Sequence, residues 1–287
     1  AGAPPDTFFA RGQDWGFAPP HPERTREAGH HYFIDTLRHH LAVAGVLRID
    51  HVMGLHRLFW IPKGMDAADG VYVRYPAEEM YAVLSIESHR HRAVIVGEDL
   101  GTVPRRVRAA MAGHNIQRTY VLQYEISPDG AMPVAPAPRA AVASLNTHDM
   151  PPFAAFWKGL DIADHVDLGL LGDDRAAELR ERLARMKAAL IGFLRRGGLL
   201  DDTSDQVGEV LRACLRLLAG NSSRLVLVNL EDMWLETKPQ NVPGIRDERP
   251  NWRWKAARGL EAMRDIPEVT GPLLEIDHLR RETGGHR

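Results

Sequence analysis

Residues 93–98 read Ala93-Val94-Ile95-Val96-Gly97-Glu98, an apolar run closed by a carboxylate. Upstream, Val46-Leu47-Arg48-Ile49-Asp50 ends in the same way, and Leu225-Val226-Leu227-Val228-Asn229 is a further apolar run. Runs this short, with β-branched residues, read as strands. The unbroken apolar character of 94–96 and 225–228 predicts burial on both faces. Two more strands are expected at 118–124 and 142–146. The segments between them have a helical period. Phe33, Leu37, Leu41 and Ala44 predict a helix over 25–44 that Gly45 ends. Further helices are expected at 77–88, 104–112, 173–196 and 205–218, the long one with Leu179, Leu183, Met186 and Leu190 on one face. Residues 1–28 read as an ordered loop, and the last forty as a loop with one or two helices. Alternating strands and helices predict an α/β fold with a parallel sheet. No domain boundary stands out, and the Ala/Pro run at 131–143 is the one low-complexity stretch.

Composition narrows the function classes. The 287 residues are 44% hydrophobic and 26% charged, ordinary for a soluble globular chain. The formal net charge of −2 gives no electrostatic case for nucleic acid or an anionic membrane surface. Cys214 is the single cysteine, so an intrachain disulfide is impossible and a reducing, cytoplasmic location is expected. No apolar stretch is long enough for a membrane span.

Several strands lead into acids: Asp50 after VLRI, Glu98 after VIVG, Asp149 after ASLNTH and Glu231 after LVLVNL. The carboxyl ends of parallel strands line the active sites of α/β folds. Carboxylates there would converge on one mouth, the equipment of glycosidic-bond chemistry. Acids at strand ends also cap helices and pair with Arg, and composition alone does not name the reaction. Other motifs are absent: there is no Walker A loop, GxGxxG, HExxH, CxxC or GxSxG. His89 and His91 read as a solvated helix end, since zinc spacings are lacking.

The local sequences are more specific. LRIDHVMGL at 47–55, IVGEDLGTVP at 95–104 and NTHDMP at 146–151 stand in order along the chain. With them come GQDWG at 12–16, YVRYPAEEM at 72–80, and QNVPG and PNWR within 240–253. This set resembles the 4-α-glucanotransferases, the amylomaltase or disproportionating-enzyme family (glycoside hydrolase family 77), relatives of the α-amylases. The resemblance implies a (β/α)8 TIM barrel, of which these strands would be the fourth to the eighth. The barrel would thus be incomplete, and residues 1–287 would be the C-terminal part of one catalytic domain with inserted loops and helices. An open arc leaves strand edges unpaired, so the isolated chain is expected to be poorly stable and inactive.

By the same resemblance Asp50 is the nucleophile, Glu98 the general acid/base and Asp149 the third carboxylate, which steadies an oxocarbenium-like transition state. Arg48 lies two residues before Asp50, on the same side of a strand, where it would keep Asp50 ionised and oriented. His148 would bond sugar hydroxyls. Trp15 would stack on a pyranose face near the acceptor. Asn241 and Pro243 belong to a loop bordering the acceptor groove, and Gln13 and His51 are further binding candidates. Around Trp15 the family usually has a hydrophobic residue and then WGNP; this chain has Asp14 before the Trp and Phe17-Ala18-Pro19 after Gly16. The implied activity moves part of a 1,4-α-glucan onto the 4-hydroxyl of glucose or another glucan, without a cofactor. Malto-oligosaccharides are the partners, and the oligomeric state is not legible. Two other readings stay open: a retaining α-glucan hydrolase and a non-catalytic glucan-binding fragment. Retention predicts the Asp50 and Glu98 carboxyls about 5–5.5 Å apart.

Overall fold

A computed structural model describes residues 1–5, 11–128, 132–245 and 248–283. Residues 6–10 of the expected N-terminal loop and residue 131 of the Ala/Pro run lie outside the described residues. The chain divides into two compact units, Ala1–Thr119 and Tyr120–Arg287.

The first unit holds β1 (Gly2–Ala3), β2 (Gln13–Asp14), β3 (Val46–Ile49), β4 (Arg57–Trp60), β5 (Val71–Arg74) and β6 (Val94–Gly97). β3 and β6 pair in parallel, from Val46 opposite Val94 to Ile49 opposite Gly97. Gln117 continues beside β6: its N–H donates to Ile95 O at 2.9 Å, and its carbonyl accepts from Gly97 N at 2.8 Å. Helices His31–Leu41, Ala77–His91 and Arg105–Gly113 supply Leu37, Leu41, Tyr81, Leu84, Val107 and Met111 to one core with Val52 and Ile95.

Two expectations are corrected in this unit. A second sheet, ordered β2-β1-β4-β5 and antiparallel throughout, stands beside the parallel pair. The N-terminal segment read as loop therefore contributes two short strands to it. The helix expected over 25–44 is two helices, Pro22–Glu27 and His31–Leu41. Gly29 and His30 between them have φ of 61° and 57°, a left-handed turn that no helix continues through. The ring of His30 is fixed there, its Nε2 2.8 Å from Glu79 Oε2.

β7 (Arg118–Val121) runs across the division, and β8 (Ala141–Ser144) and β9 (Leu225–Leu227) follow. They form a sheet in the order β7-β8-β9, with β8 and β9 parallel and Val142 opposite Leu225. The strand expected to reach residue 124 stops at Val121. Leu122–Glu125 turns helical and buries Leu122 and Gln123. β8 is buried throughout, but β9 is not: Leu227 is 57% exposed. Among the described residues β9 is an edge strand of this sheet, and its half-buried Leu225 and Val226 with exposed Leu227 overturn the two-faced burial expected of 225–228.

Helix Asp173–Arg196 has the expected bounds and buries Ala176, Leu183, Leu190 and Leu194. Helix Val207–Ala219 buries Leu211, Cys214, Leu215 and Leu218 in the core of this unit. Each such leucine contributes about 1.5–3 kcal/mol relative to exposure. Helix Pro267–Glu282 adds Val269 and Ile276 to the same core. Among the described residues no helix is long and apolar enough to cross a membrane.

Candidate active site

In the first unit the parallel register sets two carboxylates side by side in the chain's architecture. Ile49 is opposite Gly97, so Asp50 and Glu98 are the next residues beyond two paired strand ends. The strand ends are tied together there: Glu98 N donates to Ile49 O at 2.9 Å, and Val52 N donates to Glu98 O at 3.0 Å. Arg48 Nη2 lies 2.6 Å from Asp50 Oδ1, the contact that strand alternation predicts for residues two apart. The Asp50 side chain remains 75% exposed, open to an incoming ligand.

Glu98 is held differently. Its Oε2 accepts the His51 N–H at 2.9 Å and its Oε1 accepts the Leu100 N–H at 2.7 Å. These bonds favour the carboxylate, as does Arg48, but burial outweighs them and the charge of Asp50 adds to burial. The net effect holds the Glu98 carboxyl above its ordinary range.

His51 takes the left-handed region, with φ of 44°, and this aims its N–H at Glu98. Burial lowers the pKa of its ring, Arg57 adds to that, and Asp50 opposes it. The Trp15 indole meets the His51 ring edge-on, 5.0 Å between centroids. Trp15 Nε1 donates to Gln13 Oε1 at 3.0 Å, and Gln13 is fixed in β2. Gln13, Trp15, Arg48, Asp50, His51 and Glu98 therefore form one continuous group.

A second group lies in the other unit, on the segment after β8. Asp149 Oδ2 is 3.2 Å from His148 Nε2, and its Oδ1 accepts from Asn241 Nδ2 at 2.6 Å. The loop carrying Asn241 is braced by Asn251. Its amide nitrogen donates to Val242 O at 3.1 Å and Ile245 O at 2.9 Å, while its oxygen accepts from Val242 N at 3.0 Å. Pro243 stands in the turn so formed, beside Gly244 at φ 81°; it has a place in the loop rather than a side-chain bond to Asp149.

Two residues were not singled out by sequence. Trp252, 62% exposed, packs its ring 5.2 Å from that of His148; its signal was the PNWR motif around it. Asp232, 2% exposed, accepts from Asn146 Nδ2 at 2.9 Å and from Phe153 N at 2.7 Å. Its only sequence signal was an acid following Glu231 beyond an apolar strand. At the end of helix Ala77–His91, His91 Nδ1 lies 2.9 Å from the Glu87 carbonyl oxygen, a helix-terminal contact. Among the described residues no group of three or more His, Cys, Asp or Glu could hold a metal ion.

Comparison with known proteins follows the same lines. The family model described as 4-alpha-glucanotransferase matches residues 1–261. A 4-alpha-glucanotransferase of Haemophilus influenzae is 39% identical over 267 residues, covering 90% of this chain and 38% of that protein. One from Mycobacterium tuberculosis is 40% identical over 259 residues, covering 88% of this chain and 36% of that protein. The crystal structure of amylomaltase from Corynebacterium glutamicum superposes with a TM-score of 0.87 at 32% identity, over 96% of this chain and 41% of the other. The chain thus spans about two fifths of the length of the relatives it matches. By these matches the chain belongs to glycoside hydrolase family 77, the 4-alpha-glucanotransferases.

Proposed function

We propose that the natural polypeptide carrying this sequence is a retaining 4-alpha-glucanotransferase that acts on malto-oligosaccharides and other 1,4-alpha-glucans. The strands β3, β6, β7, β8 and β9 would be the fourth to eighth of the family's (β/α)8 barrel, and residues 1–287 part of one catalytic domain. The observation that carries the reading is the Asp50–Glu98 arrangement. One carboxylate is open and oriented by Arg48; the other is buried, braced by two backbone N–H groups and biased toward its protonated form.

That asymmetry suits a double displacement. In the first step an Asp50 carboxylate oxygen attacks C1 of the donor sugar. The C1–O4 bond breaks, and the leaving O4 takes the Glu98 proton. In the second step the ionised Glu98 accepts the proton of an acceptor 4-hydroxyl. That oxygen attacks C1 and expels Asp50. Two inversions restore the α configuration, and Glu98 ends protonated as it began. Asp149 is assigned the transition-state carboxylate, its orientation set by Asn241 and His148. Arg48 positions Asp50. His148, Trp15, Gln13, His51, Asn241 and Pro243 are assigned to sugar binding. Trp15 would offer an indole face to the C–H face of a pyranose. The chemistry calls for no cofactor. The single cysteine, Cys214, is buried and free, which fits a cytoplasmic enzyme.

Incubation of the natural polypeptide with maltotriose tests the reading. Glucose together with maltodextrins longer than maltotriose, both lost in Glu98→Gln, are the expected products. Glucose and maltose without longer products would make it a hydrolase. No turnover by the folded protein would leave a glucan-binding role and refute the catalytic assignments.

A further inference from the structure

The segment 147–152, which carries His148 and Asp149, is bracketed by two residues that meet at one buried carboxylate. Asp232 Oδ2 accepts from Asn146 Nδ2 at 2.9 Å, immediately before the segment. Asp232 Oδ1 accepts from Phe153 N at 2.7 Å, immediately after it. We infer that Asp232 is a positioning residue, a clamp whose two oxygens close the ends of the His148–Asp149 segment and fix where those side chains stand. The inference rests on the reading of Asp149 as part of the glucan-transfer site.

The clamp leaves little freedom. The two amide hydrogens of Asn146 are both committed, one to Asp232 and one to Gln123 Oε1 at 3.2 Å. Its oxygen accepts from Asn229 Nδ2. Asn146 can therefore present its amide in one orientation only. Gln123 also reaches the segment itself, Nε2 donating to Pro151 O at 3.4 Å. Inside the segment, Asp149 N donates to Thr147 Oγ1 at 3.3 Å, and buried Met150 donates its N–H to Thr147 O at 3.2 Å. Asp232 stands in the helical turn Leu230–Met233 beyond β9, Gln123 follows β7, and Asn146 follows β8. Three strand ends are thereby linked to the segment that carries His148 and Asp149.

The chemistry of the link is unusual for a merely structural one. Asp232 is 2% exposed, and among the described residues no Lys, Arg or His forms an ion pair with it. Burying an acid without a cation is costly, and its pKa is pushed up to about 6 by that burial. Only a carboxylate, however, gives two acceptor oxygens and no donor. Asparagine at the same place would turn its NH2 on the NH2 of Asn146 or on the Phe153 N–H. Either contact sets donor against donor and opens one end of the segment.

Two variants of the natural polypeptide test the clamp, with maltotriose as substrate and thermal unfolding measured alongside. Asp232→Asn is expected to lower kcat by about 10- to 100-fold with KM within about twofold, the penalty of misplaced reacting groups. The double variant Asn146→Asp with Asp232→Asn reverses the polarity of the pair. The amide introduced at position 232 would donate to the carboxylate introduced at position 146 and still accept from Phe153 N; Gln123 would turn its amide to donate to position 146, giving up its long 3.4 Å bond to Pro151 O. This variant is expected to recover most of the lost kcat. Asp232→Asn with kcat unchanged, or lowered only in proportion to the folded fraction, overturns the inference. If Asp232→Asn does not fold, the double variant decides: folded and active supports the clamp, while folded and inactive, or unfolded, overturns it. Absence of longer maltodextrins from the unaltered protein overturns the functional reading itself, and the clamp with it.

Discussion

Gly97 sets how closely Glu98 approaches the core, and Gly97→Ala measures what that closeness is worth. A Cβ at Gly97 would lie 2.9 Å from Met111 Cε, 2.9 Å from Val52 Cγ2 and 3.1 Å from Val52 Cβ. Both neighbours are fully buried, so neither can swing into solvent. Overpacking of this kind costs about 1–3 kcal/mol. The displacement falls on the proposed catalytic pair, because Gly97 precedes Glu98 and Val52 N is bonded to Glu98 O at 3.0 Å. Pushing β6 away from Val52 shifts Glu98 relative to Asp50, and a misplacement near 1 Å costs on the order of 100-fold in rate. Gly97→Ala is thus expected to lose about 1–3 kcal/mol in chemical denaturation and to lose kcat in the maltotriose assay. Gly113→Ala is the control. A Cβ there meets nothing within 4 Å at the end of helix Arg105–Gly113, so it is expected to leave stability equal or up to about 1 kcal/mol higher. A Gly97→Ala protein as stable and as active as the unaltered one would refute the packing argument.

The pH profile carries a sign. In the proposed mechanism Glu98 holds its proton for the first step, and its pKa is raised, so kcat/KM should fall as pH rises through a pKa above the ordinary carboxylate range. An alkaline limb at or below that range would contradict the assignment. Asp99, buried beside Glu98, binds Arg108 Nε at 3.0 Å, Arg118 Nε at 2.7 Å and Thr119 N at 3.0 Å. Asp99→Asn should destabilise the protein by about 2–4 kcal/mol, less than a wholly buried pair would lose because the Arg108 and Arg118 side chains remain 39% and 33% exposed. Arg280, 9% exposed, donates to the carbonyls of Asn221 at 3.1 Å and Ser223 at 2.7 Å. Arg280→Met should cost about 2 kcal/mol or more by leaving those carbonyls unpaired, read as a lowered melting temperature.

What sequence could reveal depended on how local the cause was. The runs ending at Asp50 and Glu98 were legible because their apolar character is local, and β3 and β6 pair along it in the matched register. The long helix 173–196 was legible for the same reason, its apolar period being its own. The antiparallel sheet was not. β1 and β2 have two residues each; β2 pairs with β1, and β1 is held by a partner far along the chain, with Gly2 opposite Phe59. The break at Gly29–His30 was missed because the apolar spacing that marks the helix begins only at Phe33, and Pro22–Glu27 before it has no apolar period of its own. His30 is anchored by Glu79, 49 residues away. Of the residues proposed to act on sugar, Asp50, Glu98 and Asp149 stood out through motifs, while the positioning residue proposed for Asp149, Asp232, did not. Its importance lies in Phe153 and Asn146, contacts that no local pattern announces.

The central claim is that Asp50 forms a covalent bond to the sugar. It is tested by treating Glu98→Gln of the natural polypeptide with α-maltosyl fluoride. Fluoride leaves without a proton, so the first step proceeds, and the missing base lets the intermediate accumulate. Peptic digestion and mass spectrometry then locate the added maltosyl group. The account predicts it on the peptide containing Asp50, as an ester that is lost when an external nucleophile such as azide is supplied to take the sugar. Fluoride release with Asp50 unmodified and the sugar bound to another residue, or with no adduct at all, would contradict it.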